Sequence, residues 1–465
     1  MGGCAGGLYK SQEYFKAGDP VTAEECIVDY ASDPGDENIV IAKIEEGSIL
    51  FFNGKYGPAA DAFQAAEERI ERLDESPEYS LSSEAASAAT TPESIPYEGT
   101  PYDRVLATTY RGLAYGLAGN PDAARAALFN AQFRQKDAIR IRQKQIEEAA
   151  EQEEDDRFAR GSSTAQDAYG DAFFAGYDVA SNSFADAVNA AFRLGQMKDS
   201  SDADTARDFL RRVGSINPEN GYVGLDIAVA EATSAGSPPD RTYVFFATGY
   251  GPYRDEFKIA IPYAVDGGLR TVQAAFPILR RDELNFAQPI TIEAGGDRYT
   301  VETLADMDRI VGADFKARLR SIIIRHVVSA VGRELIATGA RAAGEEIGGV
   351  EGALVNIAGA IYKTAQNRAD RRSWATLPKY YYYASFETPE DGTLSINDPA
   401  SGPYSIDVEP GGVNIVHVRA TRPGFRFQIA NFNVGTSGLR AAADPAAAAE
   451  SQPSLQEETP DANAR

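Results

Sequence analysis

The sequence predicts an α+β multidomain chain. An α-helical amino-terminal half precedes a carboxy-terminal antiparallel β region packed with a central helical pair. Three observations lead there. Small and aromatic residues recur on paired helical segments as far as about Asp240. From Thr242 onward, short apolar runs alternate with polar residues and are cut by Gly and Pro. Between two such regions, Leu304 to Pro378 carries apolar residues at helical spacing, interrupted by Gly344, Gly348, Gly349 and Gly352. At 465 residues and 43% hydrophobic, the chain can build two or three domains with real cores. The expected boundaries are a short anchor or linker over 1–7, a helical domain over 8–240, an α+β domain over 241–435, and a disordered tail over 436–465 rich in Ala, Pro, Glu and Ser.

In the helical half, Ile49 to Tyr56 leads into Ala59, Ala60, Phe63 and Ala66. A second copy runs from Gly112 through Tyr115 to Asn120-Pro121-Asp122, Ala124 and Ala127. A third, more degenerate copy begins at Phe184 and closes at Asn217-Pro218. Ala and Gly let helices approach closely, while Tyr or Phe fills the space between pairs. The pattern matches the centre of a tetratricopeptide repeat, so this half is TPR-like. Tyr56, Phe63, Tyr110 and Tyr115 are the candidate lining of a partner-binding groove. Asp74 to Thr100 reads as a long loop. Gln135 to Arg160 reads as an exposed, protruding helix with a basic first half and an acidic second half; such charge runs more often mark a solvated face than a docking site.

In the second half, strands are expected at Thr242–Phe246 and Phe257–Pro262, joined as a hairpin by Gly249 to Tyr253. Further strands are expected at Val272–Ile278, Ile290–Glu293, Tyr299–Val301, Lys379–Phe386 and three alternating runs up to Ile429. Met307, Ile310, Val311, Phe315 and Leu319 give one buried helical stripe, capped by Asp306. Ile322 to Ile336 continues it as a helix buried on most sides, too short and too charged to span a bilayer. Leu354 to Ala365 is the second helix of the pair.

Composition narrows the function. A net charge of -24 excludes a duplex nucleic-acid binder, whose affinity comes from Lys and Arg meeting phosphates. Two cysteines, Cys4 and Cys26, form no disulfide framework; one bridge between them would staple little, and Cys26 reads as a packing residue. Two histidines, His326 and His417, leave no multi-histidine metal site, and each reads as structural. No Ser, Cys or Lys stands in a nucleophile motif, so no catalytic, cofactor-binding or metal-binding residue is assigned and no cofactor is implied. Asp306, Asp308 and Asp314 cluster at a helix start, where capping and the helix dipole account for them. Trp374, the only tryptophan, is expected to be buried at a helix-to-strand corner rather than to stack on a sugar. Gly2-Gly3-Cys4 followed by Ala5 resembles the end of a bacterial lipoprotein signal. No charged start or apolar segment precedes it, so the export signal is incomplete. Cys4 is the candidate lipidation site, and Ala5 resembles an outer-membrane sorting signal.

The TPR-like helices, YVFFATGYGPYRDEFKIAIP, DMDRIV…DFK…IIIRHVVSA and AQNRADRRSWATLPKYYYYASF occur in that order. Together, over about Phe15 to Ile429, they resemble a family of uncharacterised bacterial envelope lipoproteins. The most specific part is Ala369-Asp370-Arg371-Arg372-Ser373-Trp374 with Leu377-Pro378, of which Asp370, Arg372, Trp374 and Pro378 are the structural motif residues. The resemblance implies encoding beside lipoproteins that activate penicillin-binding proteins. It implies a periplasmic, outer-membrane-anchored, non-enzymatic scaffold or adaptor that binds envelope proteins, including peptidoglycan-synthesis machinery. The alternative is a cell-wall glycan-binding protein or hydrolase using carboxylates of the carboxy-terminal half.

Overall fold

The helices begin where short polar side chains can satisfy free backbone N–H groups. A computed structural model describes residues 7–75, 92–151, 182–233, 237–265, 268–283, 290–337, 368–398, 402–435 and 438–441. The first four helices are α1 (Gly7–Ala17), α2 (Pro20–Ser32), α3 (Ile39–Phe52) and α4 (Tyr56–Glu75). The next are α5 (Pro101–Leu117), α6 (Pro121–Glu151), α7 (Ser183–Gly195), α8 (Ser200–Ile216) and α9 (Gly221–Ala232). Asp19 caps α2 through the Thr22 N–H, with Pro20 in the first turn. Thr100 and Asp103 form a reciprocal capping box on α5. Asn182, Asp199 and Asn220 cap α7, α8 and α9. From 7 to 233, each described helix packs mainly on its sequence neighbours, and no strand interrupts them among the described residues.

Beyond them lie β1 (Arg241–Thr248), β2 (Tyr253–Val265), β3 (Gly268–Arg280), β4 (Thr291–Ala294), β5 (Asp297–Thr300) and β6 (Glu302–Asp306). Helix α10 (Met307–Ala337) follows. The last strands are β7 (Tyr380–Glu387), β8 (Thr393–Asp398), β9 (Gly402–Asp407), β10 (Val413–Ala420), β11 (Gln428–Gly435) and β12 (Gly438–Ala441). The central sheet has the order β12-β11-β10-β1-β7-β6, and a second sheet has the order β5-β4-β8-β9. The fold is thus mixed α and β, as expected.

Two details differ from the expectation. The central sheet is not wholly antiparallel: β1 runs parallel to β10, from Arg241 opposite Val413 to Thr248 opposite Ala420. Nor do β1 and β2 form a hairpin. Both edges of β1 are taken by β10 and β7, so β2 leaves the sheet and pairs with β3 alone. A parallel pairing needs a long crossover, which no local sequence signal announces. Of the expected helical pair, α10 is present as one continuous helix. Its partner at 354–365, the glycine run before it and the tail beyond 441 lie outside the described residues. So does most of the Asp74–Thr100 loop; the helix expected from Gln135 is part of α6 as far as Glu151, and Gln135 and Ala138 at its start are buried rather than exposed.

Period-2 alternation along β1 sorts its residues into two layers. Tyr243, Phe245 and Ala247 join a core with Phe63, Tyr110, Phe184 and Trp374, on the helical side. Val244 and Phe246 join Ile292, Leu394, Ile396 and Ile406 of the second sheet. All eight residues of β1 and of β10 are buried. The described parts are therefore layered as helices, central sheet and second sheet. One hydrophobic core runs from Leu8 to Val434, across the boundary expected near residue 240.

Candidate functional site

The segment 368–379 leads into β7 and has two faces. It was expected to end a helix at Arg372-Ser373-Trp374. Instead, 368–374 has no regular secondary structure, and β7 starts at Tyr380. Backbone bonds fix its end: Lys379 N–H donates to Thr248 O at 2.7 Å and Gly251 N–H to Leu377 O at 2.7 Å.

Its inner face is closed. The Arg372 guanidinium donates to Asp370 (Nε to Oδ1, 2.8 Å), to Glu37 O (2.8 Å) and to Ile95 O (2.9 Å), tying together loops far apart in sequence. Burial opposes ionisation of Asp370, yet the Arg372 charge holds its carboxyl below the usual range. Trp374, at 1% exposure, donates from Nε1 to Ser48 Oγ (2.7 Å) and Thr376 Oγ1 (3.0 Å), and its ring packs near Phe63 and Tyr110. The buried Trp374 is as expected, and Pro378 is buried with it. Glu45 is fully buried and accepts from Gln12 Nε2 (2.8 Å), Ala375 N–H (2.5 Å) and Thr376 Oγ1 (2.5 Å). Burial pushes its carboxyl up to about 7, against the pull of those three donors.

His417 lies beside this cluster, 3.4 Å from the Tyr110 hydroxyl, which also meets Tyr381 Oη at 3.1 Å. Burial, and then the neighbouring Arg419 charge, push the imidazole down to about 3, so it is neutral at ordinary pH. Arg419 donates to the carbonyls of Ala247, Ala420 and Thr376. The cavity between Phe51, Trp374, His417 and Arg419 is about 20 Å³, room for one water and no substrate. This polar cluster joins α1, α3 and α5 to β10 and holds the helices on the sheet.

The other buried acids are enclosed in the same way. Asp226 of α9 accepts from Arg241 (2.8 Å), Tyr383 Oη (2.5 Å) and Ser385 Oγ (2.8 Å). Of the three aspartates near the start of α10, Asp306 accepts from the Arg309 N–H at 3.3 Å, Asp308 lies 3.4 Å from Lys379 Nζ, and Asp314 pairs with Arg318. His326 is buried on α10, with Nδ1 2.7 Å from Ile322 O. Among the described residues, no group of His, Cys, Asp and Glu is arranged to hold a metal ion.

The expected partner groove needs correction. Phe63 (0% exposed) and Tyr110 (5%) are core residues, covered by Trp374 and by Tyr381 and His417 of the chain's own sheet. Tyr56 and Tyr115 are half-buried; Tyr56 Oη accepts from Gln428 Nε2, and Tyr115 Oη donates to Gln64. The side of these helices expected to form the groove is covered by Trp374 and by β7 and β10.

The outer face of the segment is open. Arg368 and Arg371, with the edge of the bonded Arg372, border a cleft of about 600 Å³, faced by Tyr9 and Tyr30 of the first two helices and by Glu37 and Glu93. Arg368 is exposed, and Arg371 is half-buried with its guanidinium 4.9 Å from the centre of the Tyr9 ring. Burial, and then the Glu93 charge, push the Tyr9 hydroxyl up to about 12, so it keeps its proton as a donor. Burial, and then Asp370, raise the Glu93 carboxyl, while Arg371 and Arg368 pull it back. Sequence reasoning placed Arg368 and Arg371 inside its motif but gave them no role. The available signal was three arginines within five positions of a strongly acidic chain.

Cys4 lies outside the described residues. Cys26 is fully buried, as expected, and is disulfide-bonded. No helix of the described residues is long and apolar enough to cross a membrane. No protein-family model, curated protein or solved structure matches the chain.

Proposed function

We propose that this protein is a non-enzymatic adaptor of the bacterial cell envelope, held at the outer membrane and contacting envelope proteins through its TPR-like helical half. The observation that carries the reading is the enclosure of Asp308 and Asp314 in the second half and of Asp226 packed against it. Asp226, Asp308 and Asp314 each face a buried or half-buried cation of the chain itself, and the cavity beside Trp374 has no room for a glycan. A glycosidase needs two carboxylates across an open site. With the inner face of the helices filled by the sheet, partner contact falls to their outer face.

Incubation with purified peptidoglycan should release no soluble fragments, and crosslinked pull-down from solubilised envelopes should recover a stoichiometric protein partner. Fragment release abolished by Asp308→Asn would instead establish the hydrolase.

Envelope location is supported by Gly2-Gly3-Cys4, which resembles the end of a lipoprotein signal. One sulfur cannot be both a lipid thioether and half of a disulfide. Mass spectrometry of the Cys4 peptide from envelope-purified protein separates the two. A diacylglycerol adduct supports the anchor, whereas a peptide cross-linked to Cys26 keeps the oxidising compartment and removes the anchor.

A further inference from the structure

We propose that the cleft bordered by Arg368 and Arg371 is a binding site for a small oxo-acid, a carboxylate or phosphate that also carries hydroxyl or amine donors. The inference stands apart from the adaptor reading, because it needs neither the envelope location nor a protein partner.

The contrast among three neighbouring arginines motivates it. Arg372 gives its donors to Asp370 and to two backbone carbonyls, so it belongs to the fold. Among the described residues, Arg368 and Arg371 make no ion pair, although the chain has 69 acidic residues against 45 basic ones. Their planar guanidinium forks suit the two oxygens of a carboxylate or phosphate. Arg371 is also held in place, stacked on Tyr9 rather than extended into solvent. That stacking lowers the entropy lost when a ligand is gripped.

The opposite wall sets the rest of the ligand. Glu37 accepts from Asn38 Nδ2 at 3.1 Å and retains acceptor capacity, and Glu93 lies within the field of both free arginines. An anion lacking donors would meet two carboxylates there with nothing to offer them. An acid that also bears hydroxyl or amine groups would satisfy both walls. A cleft of about 600 Å³ is in the size range of small-molecule sites.

The test is calorimetric titration of the full chain with malate and, separately, with glycerol 3-phosphate. Saturable one-site binding of either supports the proposal, and the one that binds identifies the oxo-acid. The Arg368→Gln/Arg371→Gln double variant should lose at least about tenfold in affinity, with Trp374 emission and circular dichroism unchanged. Because Arg368 is exposed, Arg368→Glu serves as a second variant that does not touch the core, and it should weaken binding in the same direction. Failure of both ligands to saturate, or wild-type affinity in both variants, would overturn the proposal.

Discussion

Arg371 and Arg372 are adjacent in sequence and opposite in circumstance. One stacks on a half-open tyrosine above a cleft; the other is 3% exposed and bonded to a carboxylate and two loop carbonyls. The same holds for the whole segment 368–379. Its inner side chains, Arg372, Trp374 and Thr376, join helices to sheet, and its outer ones, Arg368 and Arg371, leave donors free. A chain with irregular backbone can divide its side chains this way because no helical period constrains which of them turn inward. The difference teaches that a run of charge must be judged residue by residue, by what consumes its donors.

The largest effect should come from breaking the inner face. Trp374→Ala should cost about 3–5 kcal/mol in denaturant unfolding, the usual range for truncating a buried aromatic, and it also removes the indole donor to Ser48 and Thr376. Stability within about 0.5 kcal/mol of wild type would mean that the ring is not a junction residue.

Next comes pH. The folded-state value of Glu45, about 7, lies above its ordinary 4.5. Between these values the native state holds a proton that the unfolded chain has released. Stability is therefore greatest below about 4.5 and falls as pH rises through about 7, by up to about 3 kcal/mol for this one group. Glu67, pushed to about 7 by burial against the Arg111 charge, acts in the same direction. Glu45→Gln should accordingly flatten, without abolishing, the decline in melting temperature between pH 5 and 7. An unchanged slope in that variant would remove Glu45 from the account.

A smaller loss is expected where geometry is kept and charge removed. Asp226→Asn should cost about 1–3 kcal/mol, because Arg241 then lacks its buried counter-charge. The smallest effect belongs to the outer face: Arg371→Gln should change stability by less than about 0.5 kcal/mol. Were it to cost as much as Trp374→Ala, the two faces would not be distinct.

Local features were readable in the sequence. The Asp306 cap at the start of α10 was legible because capping acts within a few residues. The four consecutive tyrosines 380–383 read as a strand because aromatic residues are enriched in strands. Burial of Trp374 followed from its place before Leu377-Pro378. What could not be read was long-range. Nothing near Arg241 indicates that β1 runs parallel to β10, and nothing near Tyr110 indicates that Tyr381 and His417 will cover it. The expected groove failed for that reason: repeat patterns specify how helices pack on one another, not what fills their inner face. The cleft was missed because it is assembled from α1, α2, the Glu93 turn and segment 368–379, none of which carries a motif for it alone.

The central claim is that helices and sheet form one folding unit, closed around Trp374. The chain supplies its own probe, since Trp374 is its only tryptophan. Equilibrium unfolding should be followed by tryptophan emission and by far-ultraviolet circular dichroism at 222 nm on the same samples. The two curves should coincide in midpoint and slope, and both should shift together in Asp226→Asn, whose carboxylate ties α9 to Tyr383 and Ser385 of β7. Loss of most helical signal while Trp374 emission stays native would contradict the account, because it would make the helical half an independent domain.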